Sequence, residues 1–135
     1  MHVRVAPEAL SRGLIAGLAV CWLATGCLRE GADVRIAWHI QPTPPVTGRD
    51  TTVRLTLLDA RGQPLRGATV RLEGHMTHPG MAPLTSALVE GDAGSYEGRL
   101  HLTMTGDWVL VVTGTLADGR RFIRQTEVAA VAPDR

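Results

Sequence analysis

The residues of this sequence that are best suited to chemistry lie in one short segment, GHMTHPGMAP at residues 74–83. It contains two methionines, Met76 and Met81, and two histidines, His75 and His78. Thioether sulfur is a soft metal ligand that carries no proton at physiological pH, and imidazole is a borderline ligand. A mixed set of this kind suits Cu(I), and the imidazoles also permit Cu(II). The segment therefore predicts a copper site.

The spacing of these residues allows them to meet around one ion. A turn at Pro79-Gly80 would bring Met76, His78 and Met81 together, and Met104 would complete a site of three sulfurs and one nitrogen. A purely structural interpretation stays open, because methionine also fills gaps in apolar cores. In that interpretation Met76 and Met81 plug one end of the domain, and Met104 packs inward among leucines.

The cysteine count and the charge balance exclude several classes of function. The only cysteines are Cys21 and Cys27, so the 108 residues after Cys27 hold no disulfide, thiolate metal site or cysteine nucleophile. The 14 basic residues are nearly balanced by 13 acidic ones, so we expect no basic face and no nucleic-acid partner. The sequence contains neither a nucleophile elbow nor a phosphate-binding glycine loop, and we predict that the protein is not an enzyme.

Residues 1–27 have the features of an export signal. Arg4 and Arg12 precede the apolar run Gly13–Leu23, which is too short to span a bilayer comfortably. The run ends in LATGC at residues 23–27, which resembles the lipobox of bacterial lipoproteins except for Ala24. We therefore predict lipidation of Cys27 and an extracytoplasmic, membrane-anchored protein. A plain secretory signal cut near residues 24–26, or an uncleaved anchor, stays open.

Hydrophobic alternation indicates the elements that must position the candidate site. After a polar tether at residues 28–33, a period of two predicts strands near residues 34–40, 52–57, 68–73, 96–104 and 122–128, with a fully apolar central strand at 108–112. Residues 74–83 are predicted to form a loop and 84–90 a short edge strand. Seven short strands indicate an all-β, immunoglobulin-like antiparallel sandwich over residues 34–131, with an open barrel as the alternative.

Three motifs in this order carry a resemblance to a known family. They are HMTHPGM at residues 75–81, GSYEG at 94–98 and MTGDW at 104–108. Over about residues 33–130 the chain resembles the YtkA-like domain, which is related to FixH-like proteins. The resemblance implies an extracytoplasmic sandwich linked to copper handling or to assembly of haem-copper oxidases. It implies metal ligands at His75, Met76, His78, Met81 and Met104, and packing roles for Tyr96 and Trp108.

Two functions follow as hypotheses. The first is a lipid-anchored Cu(I) chaperone or buffer in the cell envelope, with a membrane oxidase or a copper-transport protein as its partner. The second is a metal-free accessory module that docks on a membrane oxidase or efflux complex. FixH-like proteins usually keep an N-terminal membrane helix, whereas this leader ends at the lipobox-like Cys27. A direct role in oxidase assembly is therefore the weaker expectation.

Overall fold

A computed structural model describes residues 31–133 of the chain, and these residues form strands and turns without a helix. The seven strands are β1 Arg35–Gln41, β2 Asp50–Leu58, β3 Thr69–Met76, β4 Leu84–Glu90, β5 Ser95–His101, β6 Gly106–Thr115 and β7 Arg121–Ala130. All strand pairs are antiparallel. The prediction of an all-β, immunoglobulin-like sandwich is confirmed.

The strands form two layers that are joined through β4. The spatial order is β1-β2-β5-β4-β3-β6-β7, so β1, β2 and β5 make one layer and β4, β3, β6 and β7 make the other. β4 pairs with β3 over five positions but with β5 over only two, Val89 with Glu97 and Glu90 with Tyr96. This short link closes one side of the sandwich and makes it nearly a barrel.

The prediction that residues 84–90 form an edge strand is therefore wrong. β4 lies between β3 and β5, and the edges of the sheet are β1 and β7. β4 runs so close to β5 that a Cβ on Gly98 would lie 2.3 Å from Leu88 Cδ2. Glycine at this position of β5 is what lets the two strands approach, and such a contact leaves no mark in the alternation of β4 itself.

The core consists of the alternating inward residues of both layers, as the period of two predicts. Its largest fully buried side chains are Trp108, Tyr96, Leu55, Leu57, Leu72, Leu102 and Leu110. The Tyr96 hydroxyl donates to the carbonyl of Leu65 at 2.8 Å and accepts from the amide of Ala68 at 3.0 Å. One buried phenol thus ties the β2–β3 connection to β5, and its burial raises the pKa of Tyr96 above the ordinary value.

The described chain begins at one end of the sandwich, which we call the amino-terminal end. There the amide of Ala32 donates to the carbonyl of Arg121 at 2.9 Å, and Ala32 is buried. The Arg124 guanidinium donates to the carbonyls of Val34 and Ala32. Residues 31–33, which the sequence assigned to the tether, are therefore already packed on the domain.

The predicted leader and Cys27 lie outside the described residues. Between residues 31 and 133, no helix is long and apolar enough to cross a membrane.

Candidate metal centre

The first half of the methionine-rich segment belongs to a strand. Residues 74–76 were expected in a loop, but β3 continues to Met76, paired residue by residue with β6. Gly74 interrupts the apolar pattern although its position faces inward, where a side chain would press on neighbouring core residues. A Cβ there would lie 3.3 Å from Leu100 Cδ1 and 3.6 Å from Leu110 Cδ2. The alternation of inward and outward positions continues through Gly74, although glycine contributes no apolar side chain to the pattern.

Met76 lies on the inner face at the end of β3. It is directly opposite Trp108 of β6, whose side chain is buried, and it is half-buried against the core. Its terminal methyl carbon packs over Gly106, where an added Cβ would lie 3.3 Å from Met76 Cε. Gly106 has a φ of 124°, in the region that favours glycine. The thioether of Met76 is thus held at the start of β6.

Met104 lies in the connection that precedes β6. The sequence placed it in a strand among inward-facing leucines, but β5 ends at His101, and Met104 is 47% exposed. Leu102 takes the last inward position of this segment, since it is fully buried. The Trp108 indole Nε1–H donates to the carbonyl of Met104 at 2.9 Å. Core packing of Met104 is therefore wrong, and its backbone is fixed by the tryptophan that lies opposite Met76.

The remaining members of the segment lie in the β3–β4 connection. Its first residue is attached to β6, because the amide of Thr77 donates to the carbonyl of Asp107 at 3.2 Å. The loop then turns at Gly80, which has a φ of 94°. His78 is exposed, and Met81 is 40% exposed. This loop and the connection before β6 lie at the same end of the sandwich, because β3 ends where β6 begins.

We call this region the methionine end and define it as Met76, residues 77–83 and residues 102–105. It is opposite the amino-terminal end, since β3 runs from one to the other. All three methionines that follow the leader are found here: Met76, Met81 and Met104. The register of β3 and β6 is what brings residues almost 30 positions apart in sequence to one place.

His75 is directed away from the methionine end. It pairs with Val109 on the outer face of β3, whereas Met76 is on the inner face, because successive residues of a strand point to opposite sides. Its Nε2 lies 3.0 Å from Glu73 Oε2. The five residues proposed from the sequence therefore do not share one face, and His75 is the residue that the strand separates from the others.

The other histidines of the domain are remote or paired. His39 is on the outer face of β1, opposite Arg54, and His101 Nδ1 lies 3.0 Å from Asp50 Oδ1. Within residues 31–133, the side chains of His, Cys, Asp and Glu do not gather in groups of three or more.

Trp108 and Gly106 support the methionine end, a role that the sequence did not predict for either residue. Trp108 was predicted to pack, and it is buried, but its indole also holds the backbone of Met104. Gly106 provides the surface on which Met76 rests. The signal was present in the motif MTGDW at residues 104–108, where the methionine, the glycine and the tryptophan follow at intervals of two.

Comparison with known protein families assigns the chain to one of them. The YtkA-like family matches residues 32–113, which is more than half of the sequence and includes the whole methionine end. The protein belongs to the YtkA-like family. No curated protein matches the sequence.

Two solved structures resemble the domain. One is the crystal structure of an engineered protein from a structural genomics consortium, with a TM-score of 0.49 and 23% identity over 72% of this chain. This chain spans 20% of the length of that engineered protein. The other is murine CRIg, with a TM-score of 0.44 and 14% identity over 74% of this chain and 99% of CRIg.

Proposed function

We propose that this protein is an exported, lipid-anchored carrier or buffer of Cu(I). The observation that carries the proposal is that the three methionines lie at the same end of the sandwich. Met76 ends β3, Met81 is in the β3–β4 connection, and Met104 is in the connection before β6. Three thioethers in a domain without cysteine form a donor set that is soft and remains unprotonated. Such a set fits Cu(I) better than it fits harder divalent ions.

The proposed ligands are the sulfurs of Met76, Met81 and Met104 with one imidazole nitrogen. We assign the nitrogen to His78 because His75 lies on the outer face and contacts Glu73. Bound copper would supply a soft, redox-active cation at the methionine end. In this proposal the residues themselves bind it, with the Trp108 indole holding the backbone of Met104 and Gly106 contacting the Met76 side chain.

Exposure favours transport over catalysis. Met81 and Met104 are 40% and 47% exposed, so an acceptor protein can approach both residues from solvent. Thioether ligands hold Cu(I) reversibly and do not by themselves prepare it to activate oxygen. A carrier that delivers copper to a membrane oxidase or a copper-transport protein is consistent with these properties.

The test is a titration with Cu(I) in competition with a chromophoric chelator, on the full protein purified in detergent. Each methionine is replaced by leucine, which conserves volume and keeps the cost in stability below about 1.5 kcal/mol. We expect Met76→Leu with Met104→Leu to weaken Cu(I) binding by at least about tenfold, as loss of two ligands worth more than 1.4 kcal/mol requires.

The matched control removes an imidazole elsewhere. His39→Gln, on the outer face of β1, should leave the affinity for Cu(I) unchanged. If the double methionine variant binds as tightly as the parent, Met76 and Met104 are not ligands and the proposed site is wrong. If neither protein competes with the chelator, the metal-free docking module becomes the better hypothesis, and it is tested by partner capture from copper-depleted membranes.

A further inference from the structure

We propose that a groove beside Gly31 is a membrane-docking surface that binds anionic phospholipid headgroups. The inference rests on the proposed lipid anchor at Cys27 and is independent of the metal. The groove is open, about 510 Å³ in volume, and lies on the outer face of β3, β6 and β7 at the amino-terminal end. Gly31, Arg71, Arg121 and Ile123 contribute to its lining.

The length of the chain places the groove near any membrane that holds Cys27. Only four peptide units separate Cys27 from Gly31. Whatever path they take, they span at most about 14 Å, because a fully extended chain advances no more than about 3.6 Å per residue. An acylated Cys27 therefore keeps Gly31, and the groove that it lines, within this distance of the bilayer surface.

The groove combines charge and apolar surface in the way that a headgroup region requires. The Arg71 side chain is 59% exposed, although its Nε lies 3.4 Å from Glu73 Oε1, and Arg121 is also exposed. Ile123 is 61% exposed. Guanidinium groups bind lipid phosphates in bidentate geometry, and an exposed aliphatic side chain gains by entering the interface.

Charge changes sign along the same face. Arg71 pairs in register with Thr113, next to Ile123. Glu73 and Glu127 lie progressively farther from the amino-terminal end, in register with Val111 and Val109 respectively, and Asp107 lies beyond them. Because Glu73 is paired with Arg71, the remaining charges of this face are Arg121 near the amino-terminal end and Glu127 and Asp107 toward the methionine end. An anionic surface attracts the first part of this face and repels the rest. The domain should therefore stand on its amino-terminal end instead of lying flat.

The orientation has a consequence for the methionine end. Met76 is seven residues along β3 from Thr69, which lines the groove, a distance of roughly 23 Å at about 3.3 Å per residue. With the groove on the headgroups, the methionine end points away from the bilayer. A protein that exchanges copper there must reach it from the aqueous side.

The experiment uses the full lipidated protein in vesicles and single introduced cysteines, since acylation consumes the Cys27 thiol. A fluorophore is attached at Ile123→Cys in the groove, at Ala37→Cys on the opposite layer, or at Gln41→Cys at the far end of β1. Quenching by phospholipids with a nitroxide on the headgroup is measured in vesicles with phosphatidylglycerol and in pure phosphatidylcholine. No copper is added.

We expect strong quenching at Ile123→Cys in the anionic vesicles, weaker quenching there in pure phosphatidylcholine, and weak quenching at Ala37→Cys and Gln41→Cys in both. Arg71→Gln with Arg121→Gln should lower the ratio of docked to undocked protein, by about fivefold for each arginine. Arg49→Gln with Arg99→Gln removes the same charge from exposed sites outside the groove and should have little effect.

Equal quenching at the three positions, or quenching at Ile123→Cys that survives both arginine substitutions, would overturn the docking surface. A protein that does not float with the vesicles would overturn the anchor and the docking surface together. Neither result bears on copper, because the chelator competition described above decides the metal site on protein in detergent.

Discussion

At the scale of single residues, two buried hydroxyls are in opposite situations. The Tyr96 hydroxyl makes two hydrogen bonds with the β2–β3 connection. The Thr51 Oγ1 atom is fully buried and has no hydrogen-bond partner among the described residues. A satisfied buried hydroxyl stabilises the fold modestly, whereas an unsatisfied one costs its desolvation free energy. The two residues should therefore respond to removal of the hydroxyl in opposite directions.

Tyr96→Phe should destabilise the domain by about 1–3 kcal/mol, because the amide of Ala68 and the carbonyl of Leu65 lose their partner in a partly buried place. Urea denaturation followed by tryptophan fluorescence measures the free energy of unfolding. A change below about 0.5 kcal/mol would mean that water replaces the phenol without cost.

The same substitution should alter the stability of the domain in alkali. Burial raises the pKa of Tyr96, so its protonated form contributes stability that is complete below the ordinary value of 10.0 and is lost as the pH rises through the higher folded pKa. The parent should lose stability in that range, and Tyr96→Phe should lose less. Identical pH profiles would show that other groups cause the alkaline loss.

Thr51→Val should raise the free energy of unfolding by roughly 1 kcal/mol, since valine has nearly the same shape and no polar atom to desolvate. The measurement is again urea denaturation, with Thr52→Val on the outer face of β2 as the control that should change stability little. A destabilised Thr51→Val protein would indicate that the hydroxyl has a partner, such as an ordered water.

At the scale of elements, the sequence predicts the strands that show a local alternation of apolar and polar residues. It does not predict features that depend on contacts between separate strands. The alternation in β1, β2 and β7 predicted those strands because one face of each is regularly less exposed than the other. It did not predict that β3 continues to Met76, because Gly74 occupies an inward position under Leu100 and Leu110. It also did not predict the central place of β4, since that depends on its approach to Gly98, a contact between separate strands.

The connection before β6 should depend on Trp108. In Trp108→Phe the carbonyl of Met104 loses the indole donor, and a net hydrogen bond of about 0.5–1.5 kcal/mol corresponds to roughly twofold to tenfold weaker Cu(I) binding. Chelator competition measures the affinity. Trp38→Phe, a half-buried tryptophan of β1, is the matched control and should bind Cu(I) like the parent. Equal Cu(I) affinities for both variants would show that Trp108 does not position Met104 for copper binding.

The end of β3 leads to a further prediction, which distinguishes the roles of His75 and His78 in Cu(I) binding. His78→Gln should weaken Cu(I) binding, because we assign His78 as the nitrogen ligand at the methionine end. His75→Gln should leave it unchanged, since His75 is on the outer face with Glu73. Both affinities are measured in the same competition assay. The reverse order would mean that the loop of residues 77–83 rearranges around the metal and that His75 leaves β3.

At the scale of the whole molecule, the domain has two ends with different chemistry. The chemical class of the candidate site follows from composition, because Met76, Met81 and Met104 are conspicuous in a domain without cysteine. Their location at one end does not follow from composition. It requires the pairing of Met76 with Trp108, which no local pattern encodes. The same pairing determines that the methionine end and Gly31 are on opposite sides of the domain.

X-ray absorption spectroscopy at the copper edge, on the Cu(I)-loaded full protein, tests the central claim most directly because it identifies the atoms bound to the metal. We predict a first shell with at least two sulfur scatterers and one nitrogen, and loss of sulfur scattering in the variant that combines Met76→Leu, Met81→Leu and Met104→Leu. A first shell of only nitrogen and oxygen, or a sulfur shell that persists in this triple variant, would contradict a copper site at the methionine end.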